Sequence, residues 1–124
     1  MSQPPVCQVL DLKAAAIRTF VRIAQAWRLS EDEQSQILTL SELPRSDEDV
    51  NRMVDDTVLL RIVNAISIYG ALHSLFPDAA QADTWIHRAN SAPRFGGDPA
   101  IRLMCSGSAR ALETVRDHLE AQLR

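Results

Sequence analysis

The sequence predicts an all-α fold, and three observations lead to that prediction. Apolar residues recur at helical spacing along most of the chain, and no segment alternates apolar and polar residues as a half-buried strand does. Serine or aspartate residues precede several of the apolar segments, where helix N-caps are expected. Of the 124 residues, 46% are hydrophobic and 23% are charged, as in a globular domain that buries its core without disulfides. We therefore expect one compact helical domain.

The first helix is expected from about Asp11, after a disordered start at Met1 to Pro5. Its predicted buried face consists of five residues at helical spacing: Ile17, Phe20, Val21, Ala24 and Trp27. Ser30 and Glu33 then have the spacing of a capping box, which predicts a short helix to about Leu40. Two helices joined by a short turn, with a third behind them, are typical of the start of a helix-turn-helix.

The third helical segment lacks the features of a helix that contacts DNA. Ser46 is the expected cap of a short helix through Met53, whereas Pro44 would fall in the first turn of any helix starting at Ser41. Residues 30–57 contain nine acidic and two basic residues, a net charge of −7, and phosphate contacts require positive charge. We therefore interpret residues 1–57 as a degenerate, helix-turn-helix-like half of the domain.

The longest helix is expected from Asp55 to Phe76, where Pro77 stops it. It is apolar nearly all round, which predicts a place at the centre of the domain. Gly70 suggests the close approach of another helix. The expected apolar stripe consists of Leu59, Ile62, Val63, Ile66, Tyr69 and Leu72.

Residues 58–124 form the expected C-terminal helical half. After Pro77, a helix capped by Asp78 is predicted to about Arg88, and a short helix from Pro99 to Cys105. The last helix is predicted from about Gly107 to Gln122, with four inward-facing residues: Ala111, Leu112, Val115 and Leu119.

The segment from Trp85 to Pro99 joins these helices and contains two of the four glycines and two of the six prolines. Gly96 and Gly97 permit backbone angles that other residues adopt at a cost. Asp98 is expected as an N-cap, with Pro99 as the first helical residue. Five residue types suited to recognition surround this turn: Trp85, Arg88, Asn90, Arg94 and Phe95. The alternative is that Trp85 and Phe95 are core residues and Asn90 satisfies loop backbone groups.

Signatures of catalysis are absent from the sequence. The nucleotide-binding glycine motifs and the His-Glu-x-x-His motif do not occur, and the cysteines and histidines lack metal-ligand spacing. A Cys105 nucleophile with His118 as its base is less expected than a small core cysteine and a surface histidine. Cys7 and Cys105 are far apart, so reduced thiols are expected. We predict that the chain is not an enzyme and binds no metal or cofactor.

The sequence also predicts a cytoplasmic location without a membrane span. The longest apolar segment, Thr57 to Phe76, contains Arg61, Asn64 and His73. The N-terminus lacks the basic region and apolar run of a secretory signal. The formal net charge of −3 opposes a general affinity for nucleic acid.

A set of aromatic, glycine, proline and apolar residues is spread through the C-terminal half: Trp85-Ile86, Asn90, Phe95-Gly96-Gly97, Pro99, Leu103-Met104, Gly107 and Val115. Through these residues the C-terminal half resembles the toxin-binding domain of the Xre/MbcA/ParS antitoxins. The resemblance covers residues 58–124 most strongly, and extends more weakly to the helix-turn-helix-like segment from Ala24 to Leu40. Asn90 stands farther from Phe95 than in the family pattern, and the segment before the last helix is displaced by about one residue.

The resemblance implies an antitoxin of a type II toxin-antitoxin system, without a cofactor of its own. Its partner would be a RES-domain toxin that consumes NAD, and the last helix and the Trp85–Pro99 loop would dock over the toxin's NAD site. The apolar central helix and the partly formed helix-turn-helix also predict a homodimer, which would belong to a larger toxin-antitoxin complex. Implied toxin-binding residues are the five around the turn, together with Arg110, Arg116 and Arg124, which can pair with carboxylates of that site.

Two alternatives remain open at this point. The first is a helix-turn-helix repressor that regulates its own operon, with Lys13, Arg18 and Arg22 as phosphate contacts and a C-terminal half that only dimerises. The second is an all-α scaffold or adaptor without a toxin partner.

Overall fold

A computed structural model describes residues 6–124, with side chains from Leu10 onward, and it confirms the all-α class. Within this range the only β-type pairing is one isolated bridge between Ala89 and Pro99. A single 3₁₀ turn, Trp85–His87, follows the fifth helix. The seven α-helices are α1 Val6–Ala26, α2 Glu31–Leu38, α3 Asp47–Met53, α4 Asp56–Leu75, α5 Ala79–Thr84, α6 Ala100–Met104 and α7 Ala111–Leu123.

Helix α4 lies at the centre of the domain, as predicted. It packs chiefly against α1 and α7, and also against α2 and α5. Its buried side includes two polar residues, Arg61 and Asn64. The apolar residues of that side are Val58, Ile62, Ala65, Ile68, Ala71 and Leu72.

Two details of the prediction for α4 are wrong. Val63 and Ile66 were expected in the buried stripe, but their side chains are 52% and 37% exposed. Because α4 is apolar nearly all round, its sequence does not mark which side the neighbouring helices cover. Gly70 was expected beneath a second helix, yet it is exposed and no atom lies within 4 Å of the position that a Cβ would occupy.

Helix α4 is also long and apolar enough, by length and composition alone, to cross a membrane. Its contacts with four other helices show it instead as a core helix of the kind found in soluble proteins. The Asn64 side chain accepts a hydrogen bond from Arg116 inside the fold, and Arg61 donates to two backbone carbonyls.

Helix α1 buries the face that the sequence predicts. Phe20, Ala24 and Trp27 are fully buried, and Ile17 and Val21 are half-buried. The helix begins at Val6, earlier than predicted, because residues 6–10 contain no glycine or proline that would break it. The disordered start expected at Met1 to Pro5 lies outside the described residues.

The predicted caps of α2 and α3 are confirmed. Ser30 Oγ accepts a hydrogen bond from the Glu33 backbone N–H at 3.0 Å, and Glu33 Oε1 accepts from the Ser30 N–H at 2.9 Å. Ser46 Oγ accepts from the Asp49 N–H at 3.1 Å. Helix α2 ends at Leu38, before the expected Leu40, because Thr39 adopts a left-handed conformation with φ of 59°.

Replacing Ser30 with alanine is expected to lower the free energy of unfolding by about 1 kcal/mol, because the Glu33 backbone N–H loses the Ser30 Oγ as its capping acceptor. Urea unfolding monitored by circular dichroism measures the change. Ser41→Ala, in an exposed loop position, is the matched control and should stay within about 0.5 kcal/mol of the wild type. Equal effects of the two substitutions would contradict the capping role.

The helix boundaries in the C-terminal half differ from the prediction. Helix α5 ends at Thr84 and gives way to the 3₁₀ turn, so the helix does not continue to Arg88. Helix α7 begins at Ala111 and not near Gly107, because Gly107 has a φ of 79° and belongs to the preceding turn.

In the N-terminal half of the chain, α2 packs against α4 while α3 packs against α1. The boundary drawn at residue 57 falls in the first turn of α4.

Candidate functional site

The loop between the 3₁₀ turn and α6 is tied together at its base. The Ala89–Pro99 bridge joins its two ends, and the Gly97 N–H donates to the Asn90 carbonyl at 2.9 Å. Gly96 and Gly97 have φ values of 58° and 90°, which are left-handed conformations that favour glycine. The sequence prediction that these two glycines set the turn is therefore confirmed.

Asn90 supports this loop from within. Its Oδ1 accepts a hydrogen bond from the Ala92 N–H at 2.9 Å, and the side chain is half-buried. Of the two interpretations of Asn90, recognition or loop support, the structure shows a residue that satisfies a loop backbone group. Such a side chain positions the loop through a bond to its own backbone.

Asp98 is not the N-cap of α6, so that prediction is wrong. Pro99 occupies the cap position with an extended ψ of 146°, and the helix starts one residue later, at Ala100. The Asp98 N–H donates to the Phe95 carbonyl at 2.9 Å, closing a turn. The Asp98 carboxylate accepts from Arg102 Nη1 at 3.1 Å instead of capping the helix.

Three rings pack together where this loop meets α7. The Trp85 and Phe95 rings meet edge to face, with centroids 6.1 Å apart, and Phe95 meets His118 of α7 edge to face at 5.1 Å. Trp85 and His118 stack at 6.1 Å. Phe95 is only 6% exposed and Trp85 is half-buried, as core or anchoring residues are. We call Trp85, Phe95 and His118 the aromatic cluster.

His118 is the member of the cluster that the sequence did not reveal. It was expected at the surface, but it is half-buried against Trp85 and Phe95. Burial and, secondarily, the positive charge of Arg94 lower the pKa of its imidazole. Gln122 Nε2 lies 3.0 Å from His118 Nε2. Because an amide N–H donates, the ring nitrogen accepts, and that arrangement requires the neutral imidazole.

Stability is therefore expected to fall as the pH decreases through the ordinary pKa range of histidine. The unfolded chain binds the proton of His118 more readily than the folded one, so acidification favours unfolding. Melting temperatures between about pH 7.5 and pH 5.5 measure this effect. The His118→Phe variant keeps an aromatic ring and should lose less stability over the same interval. If the melting temperatures of the two proteins fall equally with pH, His118 is not the cause of the pH dependence.

Two of the arginines singled out in the sequence donate hydrogen bonds within the fold, and three are exposed. Arg88 Nη2 donates to the Gln81 carbonyl at 2.7 Å and to Thr84 Oγ1 at 3.0 Å, which fastens the end of α5. Arg116 Nη1 donates to Asn64 Oδ1 at 2.6 Å and joins α7 to α4. Arg94, Arg110 and Arg124 are exposed, and Arg110 makes only a 3.9 Å ion pair with Glu113.

A shallow cavity of about 260 Å³ opens beside the loop. Arg94 and Arg102 provide positive charge at its edge, and Asp98 provides the one carboxylate in its lining. Phe95, Pro99 and Leu103 complete the lining. With the aromatic cluster behind it, this part of the surface is suited to binding acidic side chains of a partner through guanidinium groups.

Cys105 is not placed for catalysis with His118. Its Sγ lies 3.9 Å from the Glu33 carbonyl, to which it can donate, whereas His118 belongs to the aromatic cluster. Burial and the neighbouring charge of Glu33 raise the pKa of the Cys105 thiol to about 11, so the group is a neutral thiol near pH 7. Between Leu10 and Arg124, no three His, Cys, Asp or Glu residues form a group that could hold a metal ion.

The three residues proposed for phosphate contacts lie on α1. Lys13 Nζ donates to the Asn51 carbonyl of α3 at 3.4 Å, whereas Arg18 and Arg22 are exposed one turn apart beside Ala15 and Thr19. Helix α3 presents Asp47 and Glu48 to solvent.

Together, these features define a small all-α protein with a pre-ordered loop packed onto its last helix. The chain is similar to the uncharacterized protein y4oB of Sinorhizobium fredii (strain NBRC 101917 / NGR234), with 35% identity over 111 residues. The match covers 87% of this chain and 84% of y4oB, and the chain belongs to the same family as y4oB. No family model and no solved structure matches the chain.

Proposed function

We propose that this protein is a type II antitoxin that binds a RES-domain toxin and occludes its NAD site. The observation that carries the proposal is the aromatic cluster, which joins the Trp85–Pro99 loop to α7. The antitoxin resemblance implies a surface made from the same loop and the same last helix. Their contact supports that surface as one continuous, pre-ordered unit, for which little conformational entropy is lost on binding.

Three exposed arginines supply the chemistry of the proposed interface. Arg94 lies next to the aromatic cluster, and Arg110 and Arg124 lie before and after α7, all three exposed. A guanidinium group forms paired hydrogen bonds with a carboxylate, so these residues suit an acidic toxin cleft. Arg88, Asn90 and Arg116 hold the surface in shape through the contacts described above, and Trp85 and Phe95 anchor it.

The remaining parts of the proposal follow from this mode of action. An occluding antitoxin acts where its toxin acts, which places the chain in the cytoplasm. It needs no cofactor and carries out no reaction, and the neutral Cys105 thiol accords with a structural role. The toxin, and not this chain, binds NAD.

Co-expression with a RES-domain toxin encoded beside this gene tests the proposal. The wild-type chain is expected to restore growth and cellular NAD, whereas Arg94→Glu should lower toxin affinity by about tenfold or more, because it reverses an exposed charge at the interface. Arg45→Glu, exposed before α3, is the matched control and should protect as the wild type does. Failure of the wild-type chain to relieve the toxicity would show that the antitoxin proposal is wrong.

The part played by the C-terminus is tested separately. If Arg124 enters the toxin cleft at the end of the chain, a bulky C-terminal tag should abolish inhibition while an N-terminal tag leaves it intact. Full inhibition by the C-terminally tagged protein would restrict the interface to the loop and the side of α7.

An autoregulating repressor is the second candidate function, and the exposed pair Arg18 and Arg22 favours it. Binding to its own upstream DNA should then be sequence-selective and should weaken steeply with salt. Arg18→Ala and Arg22→Ala would each reduce the salt dependence in a gel-shift titration. The acidic exposed residues of α3 oppose this function, since a recognition helix approaches phosphates.

A further inference from the structure

We propose that the face formed by α1 and α4 binds an amphipathic helix of another protein, and that this helix is acidic at one end and basic at the other. The face lies outside the loop and α7 surface described above, so both surfaces can be occupied at the same time. Its centre is an apolar groove of about 370 Å³ between the two helices. The groove is lined chiefly by Leu12, Ala15 and Thr19 of α1 and by Leu59, Val63 and Ile66 of α4.

The groove is open to solvent although its lining is apolar. Leu12, Val63 and Ile66 are 63%, 52% and 37% exposed, and Leu60, also on α4, is 60% exposed. Across residues 10–124, only one other large apolar side chain is comparably exposed, Leu123 near the end of α7. A contiguous patch of this kind on a small domain marks an interaction surface.

The centre of the groove offers no charge to a partner. Between Thr57 and Leu72 the only charged residue of α4 is Arg61, which is 5% exposed and faces into the core. On the α1 side, Thr19 Oγ1 donates to the Ala15 carbonyl at 3.0 Å, so the hydroxyl proton is already bonded. Burial of apolar side chains is therefore the driving force for binding here.

Gly70 extends the same side of α4 beyond the groove. Leu59, Val63, Ile66 and Gly70 follow one another at intervals of four, three and four residues, which places them on one face of the helix. Gly70 is exposed, and no atom lies within 4 Å of the position that its Cβ would occupy, so packing within this chain does not require a glycine. Glycine weakens a helix relative to alanine, but it lets the backbone of a docked helix come close. A helix lying along the groove accounts for its presence.

The dimensions of this surface suit a helix of about three turns. The distance from Leu59 to Gly70 along α4 is about 16 Å. Helices α1 and α4 run in the same direction, because residues 12–19 lie beside residues 59–66 and Trp27 lies 6.2 Å from Tyr69, ring centroid to centroid. A partner helix in the groove therefore contacts both of them along its length, as in other helix-in-groove complexes.

The charges at the two ends of the groove define the chemistry of the partner. Arg18 and Arg22 are exposed and lie in a small hollow next to the groove, toward its Gly70 end. Asp11 and Asp55 are exposed at the opposite end, where α4 begins. A helix with carboxylates near the arginines and with lysine or arginine near the aspartates meets opposite charges at both ends.

The same charges disfavour other occupants of this face. A second copy docked antiparallel about the middle of α1 would bring Arg18 of one copy beside Arg18 of the other, and a parallel copy would bring Asp11 beside Asp11. DNA would meet the two arginines but leave the apolar groove uncovered. An anionic lipid surface would repel the aspartates at one end.

Fluorescence anisotropy with a synthetic peptide tests the proposal. The probe is a labelled peptide of about 14 residues, with leucines at helical spacing, glutamates in one half and lysines in the other. The full chain is expected to bind it with a dissociation constant of about 10 μM or below. A peptide of the same composition in scrambled order has no apolar stripe and should bind at least about tenfold more weakly. Equal binding of the two peptides, or no binding of the ordered one up to about 100 μM, would overturn the proposal.

Variants of the chain locate the binding site. Val63→Glu should raise the dissociation constant of the probe at least about tenfold, because it places a charge in the groove. Gly70→Leu should do the same by keeping the probe backbone at a distance, while the melting temperature does not fall. Leu123→Glu, which changes an exposed apolar residue outside the face, should bind the probe as the wild type does. Wild-type affinity in both Val63→Glu and Gly70→Leu would overturn the proposal.

The charge pattern and the other occupants are tested with the same proteins. The double variant Arg18→Glu, Arg22→Glu should weaken probe binding several-fold at low salt and less at high salt. Circular dichroism checks that Val63→Glu folds, and Leu12→Glu, at a groove residue that is 63% exposed, replaces it if it does not. Self-association of the wild type that the groove substitution abolishes would overturn the proposal in favour of a second copy. Binding to phosphatidylcholine vesicles that the same substitution abolishes would overturn it in favour of a membrane surface.

Discussion

Arg61→Ala is expected to lower the free energy of unfolding by about 3 kcal/mol, because it removes a buried side chain that donates hydrogen bonds to the Ile37 and Ser108 carbonyls. The Arg61 side chain is 5% exposed and extends from α4 into the core. Its Nε donates to the Ile37 carbonyl in the last turn of α2, and its Nη1 donates to the Ser108 carbonyl at 3.2 Å. One side chain thereby joins α2, α4 and the turn before α7.

The free energy of unfolding lost in Arg61→Ala is smaller than the sum of the two hydrogen bonds of Arg61, because the guanidinium group is buried. Burial lowers the pKa of Arg61 from its ordinary value, which reports the free energy spent in removing the guanidinium from water. Replacing the residue recovers that part of the free energy. The two contacts still dominate, since each hydrogen bond to a charged group contributes about 1.5 to 3 kcal/mol.

Chemical unfolding of Arg61→Ala and Arg52→Ala provides the comparison. Arg52 is also a helical arginine, but its side chain is 67% exposed and it pairs only with Asp49. Its replacement should change the free energy of unfolding by less than about 0.5 kcal/mol. Arg61→Lys should fall between the two, because an ammonium group cannot reach both carbonyls in the same way. Equal values for the two alanine variants would contradict the bridging role of Arg61.

The second large effect is expected for Phe95→Ala, which should lower the free energy of unfolding by about 3 kcal/mol. Phe95 is 6% exposed and contacts both other rings of the aromatic cluster. Its removal leaves a cavity between the loop and α7. Hydrogen exchange of the loop amides, such as the Gly97 N–H that now donates to Asn90, should accelerate together with the loss of stability.

Arg94→Ala, next to Phe95 in the chain, is expected to affect toxin binding but not stability. Arg94 precedes Phe95 but is exposed, so its truncation should leave the free energy of unfolding within about 0.5 kcal/mol of the wild type. Under the antitoxin proposal it should nevertheless weaken toxin binding. If Phe95→Ala proves as stable as Arg94→Ala, the loop does not depend on the aromatic cluster for its position.

The sequence predicted those features whose causes are local. Ser30 and Ser46 cap their helices through backbone groups three residues away, so the motif contains the whole interaction. The buried faces of α1 and α7 were also predicted, because each has one apolar side. In α7 all four expected residues, Ala111, Leu112, Val115 and Leu119, are buried.

The wrong predictions for α4 and for Asp98 also have specific causes. Helix α4 has apolar residues on both its covered and its open side, so periodicity could not separate Ile62 from Val63. Asp98 has the expected spacing for an N-cap, but the extended Pro99 moves the start of α6 by one residue.

The position of His118 in the aromatic cluster depends on tertiary structure alone. The loop must fold back before Phe95 and Trp85 can reach a residue of α7, and no spacing in the sequence encodes that contact. The antitoxin function itself stays a prediction that rests on the resemblance.

The closed base of the loop has a consequence for the evolution of this family. Pairing of Ala89 with Pro99, and of Gly97 with Asn90, joins the two ends of the loop, and Ala92 ties its middle to Asn90, Phe95 and Gly96. The exposed residues Ser91, Pro93 and Arg94 can therefore change in chemistry without moving the helices on either side. Relatives could acquire new partners by altering the tip while inheriting an unaltered scaffold.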